Sequence, residues 1–149
     1  MQKIRLFLIV TILTIGLSLP SAGAQMVVKD APSLTVRILN EAGDEPLKRV
    51  SVTMEEDVEF GSSRERRHRT NEDGIAYFAK EAFRGFRFKR RLHEADVRTK
   101  RYDGRSVLSG EIEFKLKITV KAVGTMPESH MVILRGDESK DKTITLPVD

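Results

Sequence analysis

Apolar and polar residues alternate along most of this chain, with the period of two that is typical of half-buried β-strands. The longest alternation lies in segment 111–121, where five apolar residues share one side: Ile112, Phe114, Leu116, Ile118 and Val120. The residues between them are charged or hydroxylated, namely Glu111, Glu113, Lys115, Lys117, Thr119 and Lys121. This segment is predicted to be a long antiparallel strand with one face in solvent.

Shorter alternations predict two strands near the start of the folded part. Leu34, Val36 and Ile38 share a side in segment 33–40, and Val50, Val52 and Met54 share a side further on. Between them, segment 41–46 contains the Gly, Asp and Pro that a chain reversal favours. The two strands therefore form either a hairpin or a crossing between facing sheets.

Later segments carry the same pattern. Phe86 and Phe88 alternate with Arg87 and Lys89, which predicts a strand that buries two rings. An apolar strand is also expected around Ile75, Tyr77 and Phe78. The last two strands are predicted to pair as a hairpin across a polar loop. Its apolar residues are Val132 and Leu134 on one strand, facing Ile144, Leu146 and Val148 on the other.

Turn signals separate these strands. Asn71, Asp73 and Gly74 form the strongest one, because both side chains can cap the backbone and glycine accepts a positive φ. No segment shows a convincing amphipathic helix. The fold class predicted is an all-β, antiparallel immunoglobulin/prealbumin-like sandwich of about seven to nine strands. Segment 92–105 stays open between strand, loop and short helix.

The N-terminus predicts an export signal. Lys3 and Arg5 precede an apolar run of 14 residues at 6–19, and Ala22 and Ala24 supply the small residues that signal peptidase requires. An uncleaved membrane anchor is the alternative, but the run is shorter than the ~20 apolar residues that span a bilayer comfortably. Cleavage is expected after Ala24.

The domain organisation that follows is a signal peptide at 1–24, an N-terminal linker at 25–32 and a β-sandwich domain at 33–149. The predicted location is extracytoplasmic, either secreted or periplasmic, with no stable membrane insertion after cleavage. The chain contains no Cys, which excludes a disulfide scaffold and a thiol nucleophile.

The run LTVRILNEAGDEPLKRVSVTM, followed after a variable connection by RTNEDGIAYF, resembles the carboxypeptidase regulatory-like domain and the transthyretin-like modules, both prealbumin-like sandwiches. The resemblance covers 33–78 and rests mostly on turn residues. Later, Arg84-Gly85-Phe86 lacks the Pro that the regulatory-like pattern has there. The hydroxyisourate hydrolase branch has a His and an Arg where this chain has Arg37 and Ile75, so that activity is not implied.

Candidate catalytic and metal-binding patterns are missing from the sequence. The three His residues, at positions 68, 93 and 130, are scattered, and no Gly-x-Ser-x-Gly elbow surrounds a Ser. No His-x-x-x-His pair offers a metal site. We therefore predict no enzymatic activity and no catalytic, cofactor-binding or metal-binding residues.

The distribution of charge is more informative than its sum. Removing the signal peptide leaves a net charge of only +2, but segment 62–105 holds fourteen basic and seven acidic residues. Within the basic segment 64–101, six residues are candidates for binding a polyanion: Arg67, Arg69, Arg87, Lys89, Arg90 and Arg91. If their strands are neighbours, a cationic patch forms that can grip sulfate, phosphate or carboxylate groups. Alternatively, the charges solubilise the sandwich and protect its edges from pairing.

The expected function is that of an exported, non-catalytic module that binds another envelope or extracellular protein. The alternative is binding of carbohydrate or another polyanion through the basic segment, with Phe83, Phe86 or Tyr102 as a stacking platform. Acidic glycans fit the predicted compartment, whereas nucleic acid does not. An undetected hydrolase is the least supported hypothesis.

Overall fold

The computed structural model describes residues 28–29, 32–93, 96–104, 107–108, 111–136 and 138–147. The predicted signal peptide, its cleavage site at Ala22 and Ala24 and most of the linker lie outside these residues. Export therefore stays a prediction.

Strands account for most of the described chain. They are β1 Val28–Lys29, β2 Ser33–Asn40, β3 Ser51–Glu56, β4 Glu65–Arg69, β5 Ile75–Phe78, β6 Arg87–His93, β7 Asp96–Arg101, β8 Val107–Leu108, β9 Glu111–Lys121, β10 Glu128–Arg135 and β11 Ser139–Leu146. A single 3-10 turn at Lys80–Phe83 lies between β5 and β6. Nine of these strands have four or more residues, so the predicted all-β class and strand number are confirmed.

The nine longer strands form two sheets. A three-stranded sheet has the order β11-β2-β5, and a six-stranded sheet has the order β4-β3-β9-β6-β7 with β10 also paired to β9. One hydrophobic core takes side chains from both sheets, including Leu34 and Phe78 from the first and Met54 and Phe114 from the second. Strands β1 and β8 pair separately as a two-stranded sheet.

Strand β9 is the centre of the larger sheet. Its residues 113–120 pair with β10, while 116–121 pair with β3 and 111–113 pair with β6. A strand has only two edges, so β3 and β6 share the edge that β10 leaves open. The β3–β4 and β6–β7 hairpins consequently lie end to end along one side of β9.

The alternation in 111–121 gives the correct faces for β9. Ile112, Phe114, Leu116, Ile118 and Val120 are all buried, as predicted. The ring of Phe114 packs at the centre of an aromatic group, with centroids 5.3 Å from Phe83, 5.6 Å from Phe88 and 6.4 Å from Tyr102. Such edge-to-face and tilted contacts add to the burial of apolar area.

The predicted C-terminal hairpin is wrong. Strand β10 pairs antiparallel with β9, and β11 pairs parallel with β2 from Ser139↔Ser33 to Leu146↔Asn40. The short connection after β10 carries the chain from one sheet to the other. Alternation predicts which side of β11 is buried. Pairing with β10 and pairing with β2 can both bury that side, so the pattern does not distinguish the two partners. The β2–β11 pair is also an exception to the antiparallel arrangement that was predicted.

Two open questions are resolved. Strands β2 and β3 cross between the facing sheets, since they belong to different ones. Segment 92–105 contains β7, which pairs antiparallel with β6 through a register shift between Arg91 and His93. The strand expected around Ile75, Tyr77 and Phe78 is β5, which buries Ala76 and Phe78 while Tyr77 is 54% exposed.

The Asn71–Gly74 turn forms as predicted, although only one side chain caps it. The Asn71 amide oxygen accepts hydrogen bonds from the backbone N–H groups of Asp73 and Ile75, at 3.0 and 2.9 Å. The carboxylate of Asp73 makes no hydrogen bond to a described residue. Gly74 has φ 69°, and a Cβ there would lie 2.6 Å from the carbonyl oxygen of Ile38, so no larger residue fits without rearrangement.

Candidate polyanion-binding face

The outer face of the six-stranded sheet is strongly basic. Its register places nine cationic residues on the side away from the core: Arg67, Arg69, Arg87, Lys89, Arg101, Lys115, Lys117, Lys121 and Arg135. Among the residues whose side chains the structure describes, the same rows place three carboxylates there, Glu55, Glu65 and Glu113. Glu111 and Arg91 pair in the same register, but their side chains lie outside the described part and are not counted. We call this surface the basic face. Positive charge is therefore concentrated on one side of the described sandwich.

Four of the six predicted residues lie on the basic face, Arg67 and Arg69 on β4 and Arg87 and Lys89 on β6. Arg90 is not on this face, because it pairs with the buried Ile112 and therefore lies on the core side of the sheet. The backbone of Arg91 pairs with Glu111, but its side chain lies outside the described part of the structure.

Strands β4 and β6 are not neighbours, contrary to the condition on which the predicted patch depended. Arg67 is linked through Thr53 to Thr119, whereas Lys89 lies opposite Glu113. Six residues along a strand correspond to roughly 20 Å. The lysines of β9 lie between the two cations of β4 and the two cations of β6. The sequence predicted that these lysines face solvent, but they were not among the candidate binding residues.

Some charges on the basic face are neutralised by close partners. The Lys117 ammonium lies 2.8 Å from Glu55, and the Arg135 guanidinium lies 3.4 Å from Glu113. Glu65 lies 3.9 Å from Arg67, at the limit of an ion pair. Hydrogen bonds from Lys117 and then from the Ser63 hydroxyl lower the pKa of Glu55, and the Glu55 carboxylate raises the pKa of Lys117.

Five cations on the basic face have no such partner among the described residues. They are Arg69, Arg87, Lys89, Lys115 and Lys121, and none of them makes an ion pair or a side-chain hydrogen bond within the described chain. All except the half-buried Arg87 are exposed. These side chains can accept an external anion without first breaking an internal contact.

A buried carboxylate holds the two hairpins together. Glu56 is 4% exposed, and its oxygens accept hydrogen bonds from the backbone N–H groups of Arg64, at 2.9 Å, and Arg87, at 2.5 Å. The Arg101 guanidinium lies 3.7 Å from the same carboxylate. Arg66 adds a second link, since it lies over the Phe86 ring at 5.5 Å and donates to the Arg84 carbonyl.

The predicted stacking platform is also wrong. Phe83, Phe86 and Tyr102 are buried in the core, with at most 2% of their surface exposed. Phe60 is the exposed aromatic residue nearest to the cations, at 86% exposure. It borders a cleft of about 320 Å³ that Arg87, Lys89 and Lys115 also line. The only sequence signal for an exposed Phe60 was that it lies in a polar loop, outside any alternating segment.

The described residues include no group of three or more His, Asp or Glu side chains that could hold a metal ion. His68 packs edge-on against the ring of Phe78, at a centroid distance of 4.7 Å. No helix among the described residues is long and apolar enough to cross a membrane.

Comparison of this chain with family models, with curated proteins and with solved structures finds no match.

Proposed function

We propose that this protein is an exported, non-catalytic β-sandwich module that binds an acidic polymer on its basic face. The observation that carries the proposal is the concentration of nine cations and three carboxylates on one side of one sheet. Five of the cations are unpaired within the described chain. Such a surface attracts polyanions through its summed field as well as through individual contacts.

Edge protection accounts for only part of this arrangement, because Arg67, Arg69, Arg101 and Arg135 lie on the edge strands β4, β7 and β10 but the other five cations do not. Charged side chains discourage pairing when they lie on edge strands. Lys115, Lys117 and Lys121 instead lie on β9, which is paired on both sides and has no free edge along most of its length. Their placement is more economically explained by a ligand that lies across the open face.

The spacing on the basic face suits a linear polymer. Outward residues repeat about every 7 Å along a strand, and neighbouring strands lie about 4.8 Å apart. Lys115 lies near the middle of β9, with Lys121 toward one end and Lys89 opposite Glu113 toward the other. The face thus offers cations along its length, with the hydroxyl groups of Thr53 and Thr119 between them.

Retention on a heparin column, compared with a cation exchanger of equal charge density, tests the proposal. We expect the wild type to elute from heparin at clearly higher salt. The variant Lys89→Gln/Lys115→Gln/Lys121→Gln should lose this difference, because three exposed contacts of about 0.5 kcal/mol each amount to roughly tenfold in affinity.

The matched control is Arg37→Gln/Lys100→Gln/Lys142→Gln. It removes the same charge from residues that lie off the basic face and have no ion-pair partner among the described residues. It should keep the excess retention on heparin. Equal losses in the two variants, or no excess retention by the wild type, would contradict the proposal.

Protein binding is the second candidate function, and an apolar hairpin tip favours it. Val123 is 99% exposed and Met126 is 88% exposed between β9 and β10. Val123 also lines a surface groove of about 520 Å³ together with Pro46 and Leu47. Exposed apolar clusters often mark contact sites for other proteins. Photocrosslinking from position 126, with a probe on the basic face as control, tests this candidate.

A further inference from the structure

A cleft at the β6 end of the basic face contains three kinds of group, and one class of ligand can contact all three at once. The cleft has a volume of about 320 Å³ and lies between the loop after β3 and strands β6, β7 and β9. This volume is at the lower end of the range for small-ligand pockets. Its lining includes the Phe60 ring, three unpaired cations and four carboxylates. Glu56 and Glu113 are neutralised by Arg101 and Arg135 from outside the cleft, whereas Asp57 and Glu59 form no ion pair within the described chain.

The aromatic group is Phe60. Its side chain is 86% exposed, so it gains little from the core and most of the ring is accessible to a ligand. A sugar ring has an apolar C–H face that packs against an aromatic ring, with weak C–H···π contacts added to area burial. Polyphosphate has no such apolar face, because its surface consists of charged oxygens.

The cations are Arg87, Lys89 and Lys115, which have no side-chain partner among the described residues. They can meet carboxylate or sulfate groups, and the guanidinium of Arg87 can do so bidentately. Their presence distinguishes the cleft from a site for neutral sugars alone.

The free carboxylates are Asp57 and Glu59, whose side chains form no ion pair within the described chain. Both side chains are exposed, and an ionised carboxylate only accepts hydrogen bonds, so a ligand that displaces their water must supply donors. Sugar hydroxyls are donors, whereas the ionised groups of a polyphosphate offer none. The hydroxyl of Thr99, also in the lining, can either donate or accept.

From this combination we propose that the Phe60 cleft holds one ring of an acidic polysaccharide that carries carboxylate or sulfate groups. The ring stacks on Phe60, its acid groups contact Arg87, Lys89 and Lys115, and its hydroxyls donate to Asp57 and Glu59. This inference rests on the proposed function, since it identifies the kind of acidic polymer that the basic face binds.

Calorimetric titration with a heparin-derived hexasaccharide and with inorganic polyphosphate of matched charge tests the inference. Phe60→Leu keeps an apolar side chain but removes the flat ring, so hexasaccharide affinity should fall by about five- to tenfold. Polyphosphate affinity should change less than about twofold. Phe60→Tyr should restore hexasaccharide binding.

Tyr77→Leu is the matched control, because Tyr77 is an exposed aromatic residue on the other sheet and should affect neither ligand. An unchanged hexasaccharide affinity in Phe60→Leu, or an equal loss for both ligands, overturns the inference.

A further variant separates this failure from that of the proposed function. Arg69→Gln/Lys121→Gln removes cations of the basic face that lie outside the cleft, and it should weaken both ligands to the same extent. If neither ligand binds the wild type, or if this variant binds both as well as the wild type, the proposed function fails as well.

Discussion

The two outer faces of the sandwich differ sharply in charge although the same core lies between them. The basic face carries nine cations and three carboxylates. The corresponding face of the three-stranded sheet, which we call the neutral face, carries one cation, Arg37, and one carboxylate, Asp141. Its other outward positions are hydroxylated or apolar, as in Thr35, Tyr77 and Thr143.

This difference shows that solubility alone does not set the distribution of charge. The neutral face remains solvent-exposed at Thr143 and Thr145 with hydroxyl groups and almost no charge. A sheet of this protein therefore does not need a dense row of cations to face water. The concentration of cations on the other side is the observation on which the proposed function rests.

The largest expected effect concerns the clamp that assembles the basic face. Glu56→Gln replaces a carboxylate that accepts two backbone N–H groups by an amide that can accept through only one atom. A buried donor is then left unsatisfied, at a cost of about 1–3 kcal/mol in the free energy of unfolding. Urea denaturation followed by circular dichroism measures this change.

The neighbouring variant Glu55→Gln is the matched control for the clamp. Glu55 lies on the basic face, is partly exposed and is paired with Lys117, so its loss should cost about 0.5 kcal/mol or less. Equal costs for the two substitutions would show that burial of Glu56 between the hairpins is not important.

A smaller effect is expected from grafting charge onto the neutral face. Thr35→Lys/Thr143→Lys/Thr145→Lys adds three lysines there without touching the basic face. Retention on the cation exchanger should increase, but the excess retention on heparin should change less than about twofold. The grafted lysines lie on the opposite outer face and cannot contact the polymer segment that the basic face binds. An excess as large as that of the basic face would show that charge density alone determines binding.

The smallest effect is the pH dependence of the Glu55–Lys117 pair. The pKa of Glu55 is lowered from 4.5, so its contribution to stability is present above that pH and is lost as the pH falls through the lowered value. The pKa of Lys117 is raised from 10.5, so its contribution is present below that pH and is lost as the pH rises through the raised value. The pair should contribute a constant amount between these limits.

The measurement for this pair is the difference in unfolding free energy between wild type and Glu55→Gln at several pH values. The difference should be about 0.5 kcal/mol or less at neutral pH and should shrink in acid, since the pair is partly exposed. A difference that grows as the pH falls below 4.5 would have the wrong sign for a lowered pKa.

Local pattern alone predicted several features correctly. The period of two in 111–121 gave the buried and exposed sides of β9, and the same reasoning put Phe86 and Phe88 on the side opposite Arg87 and Lys89. The Asn71–Gly74 turn followed from the chemistry of its residues. These features depend on backbone geometry within a few residues, which a sequence contains directly.

Only the tertiary structure decided which strands are partners and which side chains meet. Strand β11 joins β2 instead of β10, and the cations of β4 and β6 are linked through β9. Arg90 lies on the core side, and Phe60 is the exposed ring that borders the cations. The physical reason is that alternation fixes which face of a strand is buried, whereas pairing depends on contacts between residues far apart in the chain.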